Sequence, residues 1–335
     1  MSKTDKKLQE DQRINVENLK IPFIKSQISF TINTGDILGV LFEKEKKTQQ
    51  AANFFETLTT ESEDTRGNIT IKGIDVTSHR KGISQVEWSY QSQPDEYFFN
   101  KKLERDPKIN QKRVKSMLKG LRKFCKKQKQ KVNDLQGRKL FLHTILLDQY
   151  EKSKICDLTD SEYLRVLLIM KILQNEADVV LMEVPEELFG NLELQEFNRI
   201  IRELGRIYRI TFILVASREY LADCDHILNL TATEKRRTST AARVESLLST
   251  IPQMGEEILK VEINDGSAAD IESLRAFTDA IIVETQENES FTIFPQKDID
   301  KTITDIFRVI GKKVYNFKRV KPSLTEYLVF MGQNQ

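Results

Sequence analysis

Long apolar runs are missing from this chain. No stretch approaches the roughly 20 apolar residues that a spanning helix requires, so any membrane role is expected to work by docking rather than by crossing. The first 17 residues, Met1 to Glu17, are polar and charged and hold no apolar signal core. Cysteine is scarce. Cys125, Cys156 and Cys224 stand far apart without CxxC spacing, which argues against a disulfide framework or a zinc site and fits a reducing cytosol. Charge imbalance is absent too. The 52 basic and 50 acidic residues leave a formal +2, so global charge gives no argument for nucleic acid or an anionic membrane, and no nucleic-acid partner is expected. No internal repeat is visible.

What is present is enough to build a core. The chain has 335 residues, 39% apolar and 30% charged, a composition of folded domains rather than of a disordered tail. Strand patterns open it at Ile14–Leu19, Ile28–Ile32 and Ile37–Phe42, and a helical pattern follows at Thr48–Leu58. Asn68–Lys72 and Val86–Gln91 read as a hairpin-like pair with a turn at Lys72-Gly73-Ile74-Asp75. Residues 98–175 read mainly as helix. The short runs Val179–Met182 and Thr211–Val215 flank a helical pattern at Leu192–Tyr208, the alternation of a parallel α/β sheet. Thr231–Thr240 is polar and reads as linker. Beyond it, strands at Leu259–Ile263, Ala280–Glu284, Ser290–Phe294 and Lys313–Arg319, with helices at Ala268–Thr278 and Lys297–Ile310, suggest a small α+β, ferredoxin-like domain. The expected organisation is a polar tail (1–11), an α/β domain (12–230) with a helical subdomain (94–175), a linker (231–253) and an α+β domain (254–335).

Several segments then fall into a recognisable order. Thr34-Gly35-Asp36-Ile37-Leu38-Gly39-Val40-Leu41 is a strand entering a loop, and Arg66 to Val76 is a β-hairpin. Trp88-Ser89-Tyr90-Gln91-Ser92-Gln93 is a strand ending in glutamine, and Leu158-Thr159-Asp160-Ser161-Glu162 precedes a helix. Asp178 to Pro185 is a buried strand, and Ala222 to Ile227 precedes another. In this order and spacing the chain resembles the ATP-binding subunit of an ABC transporter over residues 12 to about 230. The tail Val320 to Leu328 is similar to the end of the accessory domain in exporter-type ATPases. The resemblance implies an α/β, P-loop-NTPase-like ABC cassette: a mixed sheet with a helical subdomain.

Within that resemblance the site residues are nearly all replaced. A P-loop needs glycines so that backbone amides can wrap phosphate, a lysine on the β/γ-phosphates and a hydroxyl on Mg²⁺. Here the loop is Phe42-Glu43-Lys44-Glu45-Lys46-Lys47-Thr48-Gln49-Gln50, without glycine. Aligned without a gap, Thr48 stands at the lysine and Gln49 at the hydroxyl. With one residue deleted, Lys47-Thr48 takes those places. The ungapped version puts Ala51, Phe54 and Phe55 on the apolar helix face. Glu43 and Glu45 add negative charge where a triphosphate would lie.

At the Walker B strand Glu183 stands in the Mg²⁺-ligand position, a weak metal candidate, and Val184 replaces the general base; valine can neither accept a proton nor orient water. Gly190 takes the D-loop aspartate position, and Ser217 falls near the switch histidine. His79, His143 and His226 stand elsewhere, with His226 expected just before the next strand. The signature Leu-Ser-Gly-Gly-Gln becomes Leu158 to Glu162, followed by the matching Arg165. Asp160 and Glu162 would put carboxylates beside a partner-bound γ-phosphate, while Thr159 and Glu162 have the spacing of a capping box. Gln93 matches the Q-loop glutamine. Phe23 is the nearest candidate for the adenine-stacking aromatic.

The resemblance therefore implies a pseudo-ATPase, peripheral on the inner face of the membrane. Its partners would be an ABC permease and a second ATP-binding subunit, in a homo- or heterodimer. No catalytic residue and no cofactor is expected; Mg-ATP enters only if residual binding survives. Two alternatives stay open: a weak ATPase using Lys47, Thr48 and Glu183, and a soluble regulator using the basic stretch Lys101–Lys131.

Overall fold

The computed structural model describes residues 12–230 and 238–328, with the exception of 23, 25, 43–46, 60–65, 78–82, 88–89, 95–98, 119, 122, 124–133, 185, 187–188, 190, 222, 245, 248–256, 287–288, 297 and 325. The chain divides into two compact units, Met1–Ala241 and Ala242–Gln335.

The first unit holds two main sheets. Strands β1 (Gln12–Leu19), β2 (Gln27–Asn33), β3 (Ile37–Leu41), β4 (Asn68–Ile71), β5 (Ile74–Asp75) and β6 (Ile83–Val86) are followed by a separate hairpin, β7 (Tyr90–Pro94) with β8 (Phe99–Leu103). Then come β9 (Val179–Glu183), β10 (Thr211–Val215), β11 (His226–Asn229) and β12 (Thr238–Thr240). One sheet runs β12-β2-β1-β4-β5, antiparallel except that β12 joins β2 in parallel. In the other, β11, β3, β10, β9 and β6 lie side by side and all parallel.

The parallel strands are mostly buried. Every residue of β3 and β10 is buried, which is why these strands read as continuous apolar runs rather than as alternation. The helix Lys47–Thr59 buries Ala51, Phe54, Phe55 and Leu58 in a core shared with β1, β2 and the parallel strands. The helix Asn191–Tyr208 buries Phe197, Ile200, Ile201, Leu204 and Tyr208 at the 3.6-residue period.

Three expectations are corrected. β4 pairs with β1 and β5, whereas Val86 ends β6, a parallel strand against β9, and Tyr90–Gln91 belong to the β7–β8 hairpin. Strand period alone does not distinguish an antiparallel neighbour from a parallel one. Residues 98–175 are less helical than their pattern suggested: Phe99–Leu103 is strand, and the described helices are Pro107–Asn110, Val114–Met117, Asp134–Thr144 and Asp160–Gln174. Residues 238–240, expected in a linker, pair with Gln27–Ser29, and Ser239 is buried with its hydroxyl 2.9 Å from that of Ser26. Lys235 to Arg237 and residues 1–11 lie outside the described residues.

Residues 258–320 of the second unit have the order β-α-β-β-α-β, with antiparallel strands arranged Ala280–Gln286, Ser290–Pro295, Ile258–Ile263, Val314–Val320. This is the ferredoxin-like arrangement. Helices Ala268–Phe277 and Ile299–Ile310 bury Ile271, Leu274, Ile306 and Ile310 with Leu259, Val261, Ile263, Phe291 and Ile293. Asp298 caps the second helix by accepting from the amides of Asp300 and Lys301 at 2.9 and 3.2 Å.

Candidate functional site

In an open parallel sheet, ligands bind outside the carboxyl ends of the strands. Here those ends are Leu41, Glu183, Val215, Asn229 and Val86. The loop after β3 leads into the helix that starts at Lys47. Glu43 and Glu45 lie outside the described residues, as do the side chains of Lys47, Thr48 and Gln49, whose backbone forms the first helical turn.

Glu183 closes β9 opposite Val215 and is half-buried. Val184 follows, 2% exposed, its amide donating to the Val215 carbonyl at 2.8 Å. The next carboxylate along the strand end is Glu186, which sequence reasoning did not single out. Its Oε1 accepts from the amide of Ser217 at 2.6 Å. Ser217 in turn turns the chain into the short helix Arg218–Leu221, its hydroxyl accepting from the Tyr220 amide at 3.4 Å. Thus Glu183, Val184 and Ser217 do meet at one edge of the sheet, with Glu186 holding Ser217 in place. Among the described residues no group of three His, Cys, Asp or Glu is placed to hold a metal ion. Gly190, Phe23, Trp88 and His79 lie outside the described residues; Gln93 is in β7, and its side chain is not described.

The segment Leu158–Glu162 begins the helix Asp160–Gln174, and the expected capping box is present. Thr159 Oγ1 accepts from the Glu162 amide at 3.3 Å, and Glu162 Oε2 accepts from the Thr159 amide at 2.8 Å. Glu162 also raises the pKa of the Tyr150 phenol by hydrogen bond and charge. Asp160 is tied into the chain as well. Arg105 Nη2 donates to Asp160 Oδ1 at 2.7 Å and to the Leu158 carbonyl at 2.6 Å; its Nη1 reaches the carbonyls of Ile155 and Cys156, both at 3.3 Å. The guanidinium carbon lies 5.2 Å from the centre of the Tyr163 ring. Arg105 stands two residues beyond the end of β8, so one side chain ties the segment leaving the β7–β8 hairpin to the turn at Leu158. Arg165, 5% exposed, donates to Ser161 Oγ and Glu196 Oε2, each at 3.1 Å. Every polar side chain of this turn therefore has a partner within the chain.

The opposite, amino-terminal edge of the parallel sheet is equally well connected. Asp225 Oδ2 accepts from the Ile37 amide at 2.8 Å, and its Oδ1 accepts from Arg202 at 3.1 Å. His226, the first residue of β11, places Nε2 3.0 Å from Asp36 Oδ2. Burial opposes ionisation of Asp36, yet the hydrogen bond and charge of His226 hold its carboxyl below the usual range. Lys72 Nζ pairs with Asp178 at 2.9 Å. Gly35, at φ +86°, packs backbone to backbone on Gly205; a Cβ on Gly205 would meet the Gly35 carbonyl at 2.5 Å. Burial raises the pKa of the Cys224 thiol, which keeps it in the inert thiol form.

No protein-family model matches the chain, and no curated protein sequence matches it. Solved structures do. An ATP-binding cassette of an ABC transporter in its ADP conformation superposes with TM-score 0.50 at 13% identity, covering 71% of this chain and 95% of its own. CbiO1 of Clostridium perfringens, part of the ABC transporter complex CbiONQ, superposes with TM-score 0.51 at 14% identity, covering 73% and 94%.

The fold is that of an ATP-binding cassette. Among the described residues no helix is long and apolar enough to cross a membrane.

Proposed function

We propose that this chain is a pseudo-ATPase: a cassette subunit that docks beneath a membrane permease, beside a second ATP-binding subunit, as scaffold or regulator. The observation that carries the reading is Val184. It is buried at the strand end where a carboxylate would activate water, and its backbone is pinned to β10. A glycine-free loop after β3 supports the same reading, because backbone amides cannot wrap phosphate without left-handed turns. The signature turn adds to it: Asp160, Ser161 and Glu162 are occupied by Arg105, Arg165 and the Thr159 amide. CbiO1, of the same fold, is part of a transporter complex, which supports a permease and a second cassette as partners. The expected site of action is the inner face of the membrane.

A second reading has one observation in its favour. The helix starts at Lys47, so Lys47 and Thr48 stand in its first turn, where a phosphate-binding lysine and hydroxyl belong. With Glu183 they would hold Mg-ATP weakly. Affinity purification from detergent extracts tests the main proposal. Recovery of a polytopic membrane protein with the chain is expected. A monomer that captures no membrane protein, from extracts shown to contain the permeases of that membrane, contradicts it.

A further inference from the structure

The formal +2 of the chain hides a local extreme. Residues 101–131 carry 14 Lys and Arg against two acids, Glu104 and Asp106, a formal +12 that leaves −10 for the rest. One of these cations, Arg105, is turned inward and used in the signature turn. Others point out. Lys108, Lys112, Arg113 and Lys115 are exposed, while the apolar residues between and after them, Ile109, Val114, Leu118 and Leu121, are buried. Residues 108–115 are thus anchored by Ile109 and Val114 and present the charges of Lys108, Lys112, Arg113 and Lys115 to solvent. Lys112, Arg113 and Lys115 make no ion pair with any described residue.

These three cations converge. With Ser116, Met117, Met170 and Gln174 they line an open cavity of about 520 Å³ against the helix Asp160–Gln174. Two thioethers and three cations share its lining, which makes the cavity amphiphilic.

We infer that this face is a docking surface for an anionic lipid membrane. The composition of the run favours lipid over nucleic acid. Eleven of the 14 cations are lysine, compact charges on flexible stems that need no fixed ligand geometry, whereas arginine forks suit bidentate recognition. Only one aromatic, Phe124, lies in the run, so stacking platforms for unpaired bases are missing. Clustered lysines gain from the negative surface potential of a leaflet without any specific contact, each adding to the attraction. The inference is independent of nucleotide binding. It assigns the chain a lipid contact of its own, besides any contact with a permease.

Vesicle co-sedimentation of the full chain tests it. Vesicles of phosphatidylcholine with about 30 mol% phosphatidylserine are expected to bind at least about tenfold more strongly than pure phosphatidylcholine, since several cations act together. The difference should vanish at about 0.5 M salt, where the Debye length is a few ångströms. The combined change Lys112→Glu, Arg113→Glu and Lys115→Glu should remove about tenfold of the binding with the unfolding midpoint unmoved. If that variant is misfolded, the neutral set Lys112→Gln, Arg113→Gln and Lys115→Gln, together with the wild-type salt series, serves the same purpose. Equal binding to both vesicle types overturns the inference. So does binding unaffected by these substitutions, or tighter binding to duplex DNA or polyglutamate than to anionic vesicles at matched charge and salt.

Discussion

The two edges of the parallel sheet have been treated differently. At the amino-terminal edge, Asp36, Asp178, Asp225 and His226 each hold a partner on another element, and Gly35 meets Gly205 through backbone alone. This edge is closed by contacts between its own elements. At the carboxyl edge, where a ligand would lie, the strand ends carry a buried valine and a carboxylate committed to the Ser217 amide. A similar contrast holds at the turn Leu158–Glu162, where a capping box starts the helix while Arg105 pairs with Asp160. On the proposed pseudo-ATPase reading, the groups that hold the fold are present, and the positions that would hold phosphate carry residues used in internal contacts.

The sharpest way to break the contrast is at the packed edge. Gly205→Val would drive a side chain into the Gly35 carbonyl, 2.5 Å from the Cβ position. It should cost about 3 kcal/mol of stability in urea unfolding, whereas Ser217→Ala, on the ligand edge, should cost far less. Arg105→Ala comes next. It strips Asp160 and three backbone carbonyls of one donor and should cost about 2 kcal/mol, with Arg105→Lys recovering only part because it lacks the fork. Hydrogen exchange at the Leu158–Glu162 amides should rise in both variants.

Asp36 gives a pH test. Its folded pKa is depressed, so its contribution is present above the unfolded value, roughly pH 4, and is lost as pH falls through the folded value. Asp36→Asn should therefore cost about 1 kcal/mol near neutrality, with the two denaturation curves converging at lower pH. The smallest effect belongs to Lys72→Met. Its side chain is 40% exposed, so loss of the Asp178 pair should cost about 0.5 kcal/mol.

Much of the frame was legible in the sequence because local pattern and tertiary role agree there. Val179–Met182 and Thr211–Val215 are β-branched apolar runs of strand length, and both lie within parallel strands. The helix at Leu192–Tyr208 kept its period, and Thr159 with Glu162 spelled out a cap that is present. Pairing was less legible. Nothing local tells β6 to join β9 rather than β4, or Thr238–Thr240 to lie along β2. At the candidate site the substitutions themselves could be read, but their partners could not. Arg105 stands 55 residues before Asp160, and Glu186 stands 31 before Ser217. Such contacts exist only after the chain has folded.

Isothermal calorimetry with Mg-ATP bears most directly on the claim that the nucleotide site is gone. The account predicts no saturable heat at millimolar nucleotide, and none for Val184→Glu, because a restored carboxylate still faces a loop without glycine. Saturable heat at micromolar Mg-ATP, abolished by changing Lys47 or Thr48, would contradict it and establish the second reading in its place.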